Sequence, residues 1–483
     1  MARLFVFGIG GTGARVMKSL TMLLAAGMKP GNFEIVPILI DPHKDLKELN
    51  DCKTLLKLYA DINEKTYSGA THIADGFFRT KITTLKSLAT DSGLKDDFEF
   101  DERHDLPFGQ FLELTNLDSK SPTHDLLSLL YSEENFHKPL SVGFKGNPNV
   151  GSVVLNSLKD GRGFKAFESV FGNEDRIFII SSIFGGTGAA GFPLLLKNFR
   201  NHSKTVIKQS QIGALTVMPY FKLTDVGDAS DIDSNNFMTK TKAALTYYIR
   251  PEFSNLCEAL YYIADPDKQN KPYENNEKEQ PNKAHLVELL GALAIFNFAN
   301  TNFTTRGDVY EYCLKTENAS VVDFANIADK TREIFGKKLI NFYILTKLHP
   351  ENLSKPNLPF NKIYKFNKTF EKDKTFFDNL HSFFNDYFLK WLRELAENER
   401  KLKPLNISDS TDFNGLINGF ITERKRWDGI FSTPFDVSQI HLEMAKASTK
   451  KELRMLREVN SICQYLSICH HATNEVVNSK INF

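Results

Sequence analysis

The sequence predicts an α/β fold: a doubly wound, mostly parallel sheet, followed by a core helix and a helix-rich C-terminal domain. Three observations carry this reading. Residues 177–183, Ile-Phe-Ile-Ile-Ser-Ser-Ile, form an apolar run suited to a strand covered on both faces, as parallel strands are. The run opens into Gly185-Gly186-Thr187-Gly188, after which residues 194–199 carry apolar side chains at helical spacing. The same order stands at the start, where residues 4–7 lead into Gly8-Ile9-Gly10-Gly11-Thr12-Gly13 and a helix with Val16, Leu20, Leu23 and Leu24 on one face. Far downstream, Phe376, Phe377, Leu380, Phe383, Phe384, Tyr387, Phe388, Trp391, Leu392 and Leu395 make one apolar stripe at helical spacing. Core packing is the ordinary use of such a stripe, and a groove for a protein partner is the sharper one.

The remaining elements follow in order. Residues 33–40 read as a second strand, ending at Asp41. An insertion at about 50–136 carries Leu55, Leu56, Tyr59, Phe77 and Phe78, which predict partly helical elements, and an acidic, solvated run at 96–102. Residues 141–151 concentrate turn formers around Gly146-Asn147-Pro148. A strand exit follows at Leu215-Thr-Val-Met-Pro-Tyr220, then a helix at 236–249 and a strand at 258–264 that ends in Asp265-Pro-Asp267. Residues 268–280 are polar and read as an exposed loop. From Pro281 a helix begins that is hydrophobic nearly all round, and so buried. Residues 339–345 read as a strand and 452–466 as a helix. The division is 1–280 as the α/β domain, 281–300 as core helix and 301–483 as C-terminal domain, mainly helical after about 365.

Composition narrows the function. A chain of 483 residues is too long for one simple core. Its 60 Lys and Arg against 59 Asp and Glu argue against a broad nucleic-acid surface. Most of the 40 phenylalanines belong in a core. The 5 scattered cysteines form no CxxC pair, which suits a reducing cytoplasm and gives no disulfide framework. Cys463, Cys469, His470 and His471 lack a second cluster at ligand spacing, so they read as structural and no metal ligands are assigned. The opening residues lack a signal-peptide layout, and no apolar run reaches the roughly 20 residues that span a bilayer. The expectation is a soluble, cytoplasmic protein.

Each strand–glycine loop–helix unit is a phosphate cradle. Glycine lets backbone N–H groups approach the oxygens, and the helix N-terminus adds its positive dipole end. Neither loop is a Walker A, because no Gly-Lys-Ser/Thr follows. The first loop alone also fits a dinucleotide fingerprint, with Asp41 as the ribose acid of an NAD-dependent oxidoreductase. The second alone also fits an ordinary tight turn.

Taken together, the segments resemble tubulins and the cell-division GTPase FtsZ over roughly 1–45 and 139–330. The loop 184–191 is similar to the GGGTGTG signature, with Phe184 at its first glycine. Gly146-Asn147-Pro148-Asn149-Val150-Gly151 is similar to the Gly-Asn-Pro-Glu-Val-Gly loop that reaches the terminal phosphate, with Asn149 replacing the Glu. Residues 215–225 resemble the exit that borders the ribose, and His285-Leu-Val resembles the early turns of the core helix. Val321-Val-Asp-Phe-Ala-Asn-Ile327 is similar to the Asn-x-Asp-Phe-Ala-Asp-Val whose carboxylates enter the neighbouring subunit's site.

The resemblance implies a GTP/GDP and Mg²⁺ site. Gly10, Gly11, Thr12, Gly13, Gly185, Gly186, Thr187 and Gly188 would hold phosphates, Gly146 and Asn147 the terminal one, and Asp41 the Mg²⁺ through water. Asp225 would meet the ribose, with Asp228 as alternate and a solvated acidic loop as the plain reading. Asn282 would reach the base or serve as a polar first-turn residue. Asp323 would be catalytic. With Asn326 in place of the second acid, Asp323 acts alone, Asp329 substitutes, or the match is accidental. Self-assembly into a filament is implied, each subunit completing the next one's site. The alternatives are a non-polymerising nucleotide switch with weak or no hydrolysis, serving defence or partitioning, and the oxidoreductase. No residue decides GTP against ATP.

Overall fold

Residues Arg3–Ile9 (β1) bury every side chain from Leu4 onward, an environment that a strand meets only inside a sheet covered on both faces. The same holds for Arg176–Ser182 (β3) and Ile212–Val217 (β4). With Glu34–Ile40 (β2), Ala259–Ile263 (β5) and Asp308–Glu311 (β6), they form one sheet in the order β2-β1-β3-β4-β5-β6. Every neighbouring pair is parallel. These are features of a computed structural model that describes residues 2–43, 46–70, 73–90, 93–94, 98, 105–142, 144, 147–220, 222–223, 235–265, 272–273, 282–311, 320–355, 357–364, 366–398, 400–407, 416–419 and 437–480.

Parallel neighbours need crossovers, and helices supply them. Gly10–Ala25 (α1) follows β1; Lys47–Tyr67 (α2) and Pro148–Leu155 (α3) lie between β2 and β3. Gly186–Arg200 (α4) joins β3 to β4, and Asn235–Tyr248 (α5) lies between β4 and β5. Aromatic layers cover both faces. On one, Phe5 and Phe7 meet Phe167 at 5.1 and 5.4 Å between ring centres. Phe178 pairs in register with Val6 and so faces the other way, where it meets Phe298 at 5.5 Å.

Phe298 belongs to the core helix, Leu286–Asn300 (α6), which is buried almost all round. The expected start at Pro281 is corrected: His285 is the N-cap, and with Glu288 it forms a capping box. Asn282 therefore lies in the lead-in rather than in a first turn. Arginines hold both ends of α6. At the head, Arg15 donates to Glu288 and to the carbonyls of Asn282 and Lys283. At the tail, Arg176 donates to the carbonyls of Phe298 and Thr301, placing a cation at the helix C-terminus. The chain then returns to the sheet as the edge strand β6.

The C-terminal region is helical, as expected. Residues 339–345 are not a strand but the interior of Lys337–Ser354 (α7), where 339–346 are all buried. An apolar run buried on every side reads alike in either state. The helix foreseen over 452–466 is divided at Asn460 into Lys451–Val459 (α10) and Ser461–Lys480 (α11). The Asn460 side chain accepts from the amides of Ile462 and Cys463, which starts a new helix there. The Phe376–Leu395 stripe is core: Phe383, Phe384 and Phe388 surround Phe342 of α7. Its last helix is Lys390–Glu397 (α8), and Val437–Thr449 (α9) packs on α11. The insertion joins this core through Phe78, whose ring lies 4.8 Å from that of Phe383.

Candidate phosphate and nucleotide site

Because all six strands run the same way, their C-terminal ends share one edge. The connections out of β1 and β3 leave in opposite directions along the sheet, so the switch point lies between them, where open α/β sheets hold ligands. Both glycine loops stand at that point. Gly10 has φ +72°, which disfavours any side chain, and a methyl group placed on it would lie 3.7 Å from Thr187 Cβ and 3.8 Å from both Gly188 N and Asp41 Oδ2. The structure thus brings together Gly10, Asp41, Thr187 and Gly188, residues from three strand exits.

Local construction explains why these positions are small. Gly13 rests on Gly8, and a side chain on Gly188 would strike the Ser182 backbone at 2.8 Å. α1 and α4 therefore sit hard against their strands with their first turns at the edge. Their N-caps are Ile9 and Gly185; neither makes a side-chain cap bond, and neither first turn holds an acidic residue. The first-turn N–H groups, including those of Gly10, Gly11, Thr12, Gly186, Thr187 and Gly188, have no intrahelical acceptor. Asn147 is the N-cap position of α3, again without a side-chain cap, and Gly151 of that helix packs on Ala190 and on the carbonyl of Gly186. A third helix start thus joins the first two. Gly146, Asp225 and Asp228 lie outside the described residues.

Asp41 supplies the acid. Its Oδ1 accepts the His43 amide at 2.9 Å, while Oδ2 faces Gly10. Burial pushes its carboxyl up to about 7, with the His43 amide pulling down and the Glu48 carboxylate adding repulsion. Glu48, in the first turn of α2, is itself only 4 % exposed, and neither of its oxygens makes a hydrogen bond; Arg15 stands 3.8 Å away. Asp41 and Glu48 are thus a buried acid pair that Arg15 balances only from the Glu48 side, an arrangement that fits a divalent ion arriving with phosphates. No cluster of three or more His, Cys, Asp or Glu suited to a metal occurs among the described residues.

Beside the cradle runs a line of rings from loop to core helix. Phe184 meets Tyr220 edge-on at 6.4 Å, and Tyr220 lies 4.9 Å from His285. The Tyr220 hydroxyl and Arg15 share Glu288 Oε1. Burial holds the His285 imidazole below its ordinary range, against the pull of Glu288 and Asp265. Asn282 contributes its carbonyl to Arg15.

Asp323 is built differently. It follows the short strand Val321–Val322 (β7), its Oδ1 accepts the Ala325 amide, and its own amide donates to Asn326 Oδ1. Asn326, where the resemblance expects an acid, thus completes a capping box through its side-chain oxygen, a part that a carboxylate oxygen also plays. Among the described residues, no hydrogen bond of Asp323 reaches the glycine loops. Sequence reasoning missed Arg15, Glu48 and Glu288. For Arg15 and Glu288 the signal was a charge set among apolar neighbours, between Ala14 and Val16 and between Val287 and Leu289; Glu48, beside Lys47 in a charged stretch, gave none.

No protein-family model matches the chain, and no curated protein matches it. Among solved structures it is similar to CetZ2 from Haloferax volcanii, a GTPγS-bound protofilament, at 11% identity and a TM-score of 0.29. The match covers 62% of this chain and 58% of that one, less than two thirds of its length. The fold therefore rests on the strand order, and the site on its own geometry.

Proposed function

We propose that the chain binds a guanine nucleotide with Mg²⁺ at the switch point, and that it is a tubulin/FtsZ-like GTPase that self-assembles. The observation that carries this is the meeting of two uncapped, glycine-led helix starts at one place, with Asp41 beside them. Gly10 to Gly13 and Gly185 to Gly188 would give the phosphates backbone N–H groups, and Thr12 and Thr187 hydroxyls. A dinucleotide-binding domain has one such loop; the second, with α3 beside it, favours a polyphosphate. Asp41, with Glu48 behind it, would face the Mg²⁺, which neutralises phosphate charge. Asn147 would border the terminal phosphate; the expectations for Gly146 and Asp225 lie outside the described residues. Such a site works by position and charge rather than by covalent chemistry.

Hydrolysis would need Asp323 of a neighbouring subunit to polarise water in this site. A second reading, a nucleotide switch without appreciable turnover, is favoured by the capping box that occupies Asp323 and Asn326. Calorimetric titration of the purified chain with GTP, GDP, ATP and NAD in Mg²⁺ tests the binding. Micromolar affinity for GTP and GDP is expected. Binding of NAD alone, or of none of the four, would overturn it. GTP turnover per subunit against protein concentration separates the two readings: a rate that climbs above a threshold supports the shared site, and no turnover supports the switch.

A further inference from the structure

We infer that Arg400 is a positioning residue, one that ties the Asp323 turn to the ligand edge of the sheet. The inference rests on the nucleotide site proposed above. Arg400 Nε donates to Asp265 Oδ2 at 2.6 Å, with both residues buried. Asp265 lies two residues past β5, on the same edge as Gly10, Asp41 and Gly185. The residues before Arg400 grip the lead-in of the core helix: Glu394 accepts the Ala284 amide, and Asn398 donates to the Ala284 carbonyl. One short stretch therefore holds both the exit of β5 and the head of α6.

Directly after Arg400 the chain becomes a strand, Lys401–Leu402 (β8), paired in parallel with β7. Lys401 N donates to Ser320 O, and Lys403 N to Val322 O, the carbonyl next to Asp323. Val322 and Leu402 are buried, so the paired strands are anchored in the core. The chain then folds back, with Asn418 donating to the carbonyls of Pro404 and Lys403. Gly419, at φ +79°, lies so close to the Asp323 carboxylate that a side chain there would overlap Oδ1. Residues 401–403 and 418–419 thus cup the Asp323 turn while Arg400, just before them, is fixed to the ligand edge. A displacement of the β5 exit on nucleotide binding would carry β8, β7 and Asp323 with it. A buried ion pair is stiff enough for that role, since separating it leaves an uncompensated charge.

The test is amide hydrogen exchange at Ala325 and Asn326, whose N–H groups bond within the turn, with and without GTP and Mg²⁺. In the unaltered chain, nucleotide should change their exchange at least about threefold. Arg400→Gln should bind GTP within about twofold of the unaltered chain yet lose that change, and Arg400→Lys should retain much of it. Because Arg400→Gln takes the guanidinium from Asp265, the neutral pair Asp265→Asn with Arg400→Met is measured beside it, and should also bind without the response. A residue that merely supports the fold would raise exchange equally with and without nucleotide. Such a result, or a response that survives in the neutral pair, overturns the inference. GTP binding to the unaltered chain with no response at Ala325 and Asn326 overturns it while leaving the proposed site standing. Absence of GTP binding removes both.

Discussion

At the exits of β1 and β3 the chain spends glycine and leaves helix starts without side-chain caps, and at the exit of β2 it buries Asp41. In the C-terminal helices the opposite choices are made. Asn460 caps α11 through two amides, and His349, Asn352, His441 and Tyr465 are joined by hydrogen bonds in the interior. Phe342 is ringed by Phe77, Phe78, Phe383, Phe384 and Phe388. Under the proposed function, the difference separates residues placed for a ligand from residues placed for the fold. Backbone donors held at an edge cost stability and make a site; donors satisfied internally give stability and make none.

Four measurements break or sharpen that contrast, beginning with the largest. Gly188→Val drives a side chain into the Ser182 backbone, so α4 must lift from β3; GTP binding should fall more than a hundredfold. Phe342→Ala should cost about 3–5 kcal/mol in denaturant unfolding while the folded fraction binds GTP unchanged. An altered affinity there would erase the distinction between the two regions.

Acid provides the third. Burial, the first cause in each case, holds His349 down to about 3 and His470 to about 4. Both are neutral above their ordinary 6.5, so their stability contribution is complete there. Below it the unfolded chain takes up protons that the folded chain refuses, and stability drains away as pH falls towards 3. His349→Gln and His470→Gln should each flatten the fall in Tm between pH 6.5 and 4 by the equivalent of about 1–3 kcal/mol. The fourth is smaller and opposite in sign. Asp41 is raised to about 7, so its contribution is whole below its ordinary 3.8 and lost as pH rises through 7. Asp41→Asn should stabilise the nucleotide-free chain at pH 8 by about 1–2 kcal/mol and weaken GTP binding in Mg²⁺.

Much of the sheet was legible because its signals are local. β1, β3 and their helices announce themselves by apolar runs that end in glycine, and α6 by apolar residues on every side. Where signals were two-fold, reading failed: α7 has the same uninterrupted apolar run as a central strand, and the start of α6 at His285 depends on a capping box rather than on Pro281. The network around Arg15 was hidden for another reason. Its partner Glu288 lies 273 residues away along the chain, and no local pattern encodes such a meeting. The tie from Arg400 to Asp265 is hidden in the same way.

The two arginines on the core helix have a mechanical consequence. Arg15 comes from the first strand–helix unit and Arg176 from the third strand, and they grasp opposite ends of α6. Beyond its tail the chain is stitched back into the sheet through β6. A rod free at one end slides like a piston; a rod pinned at both ends turns like an axle. Under the proposed function, a movement at the glycine loops would reach the C-terminal helices as torque rather than thrust.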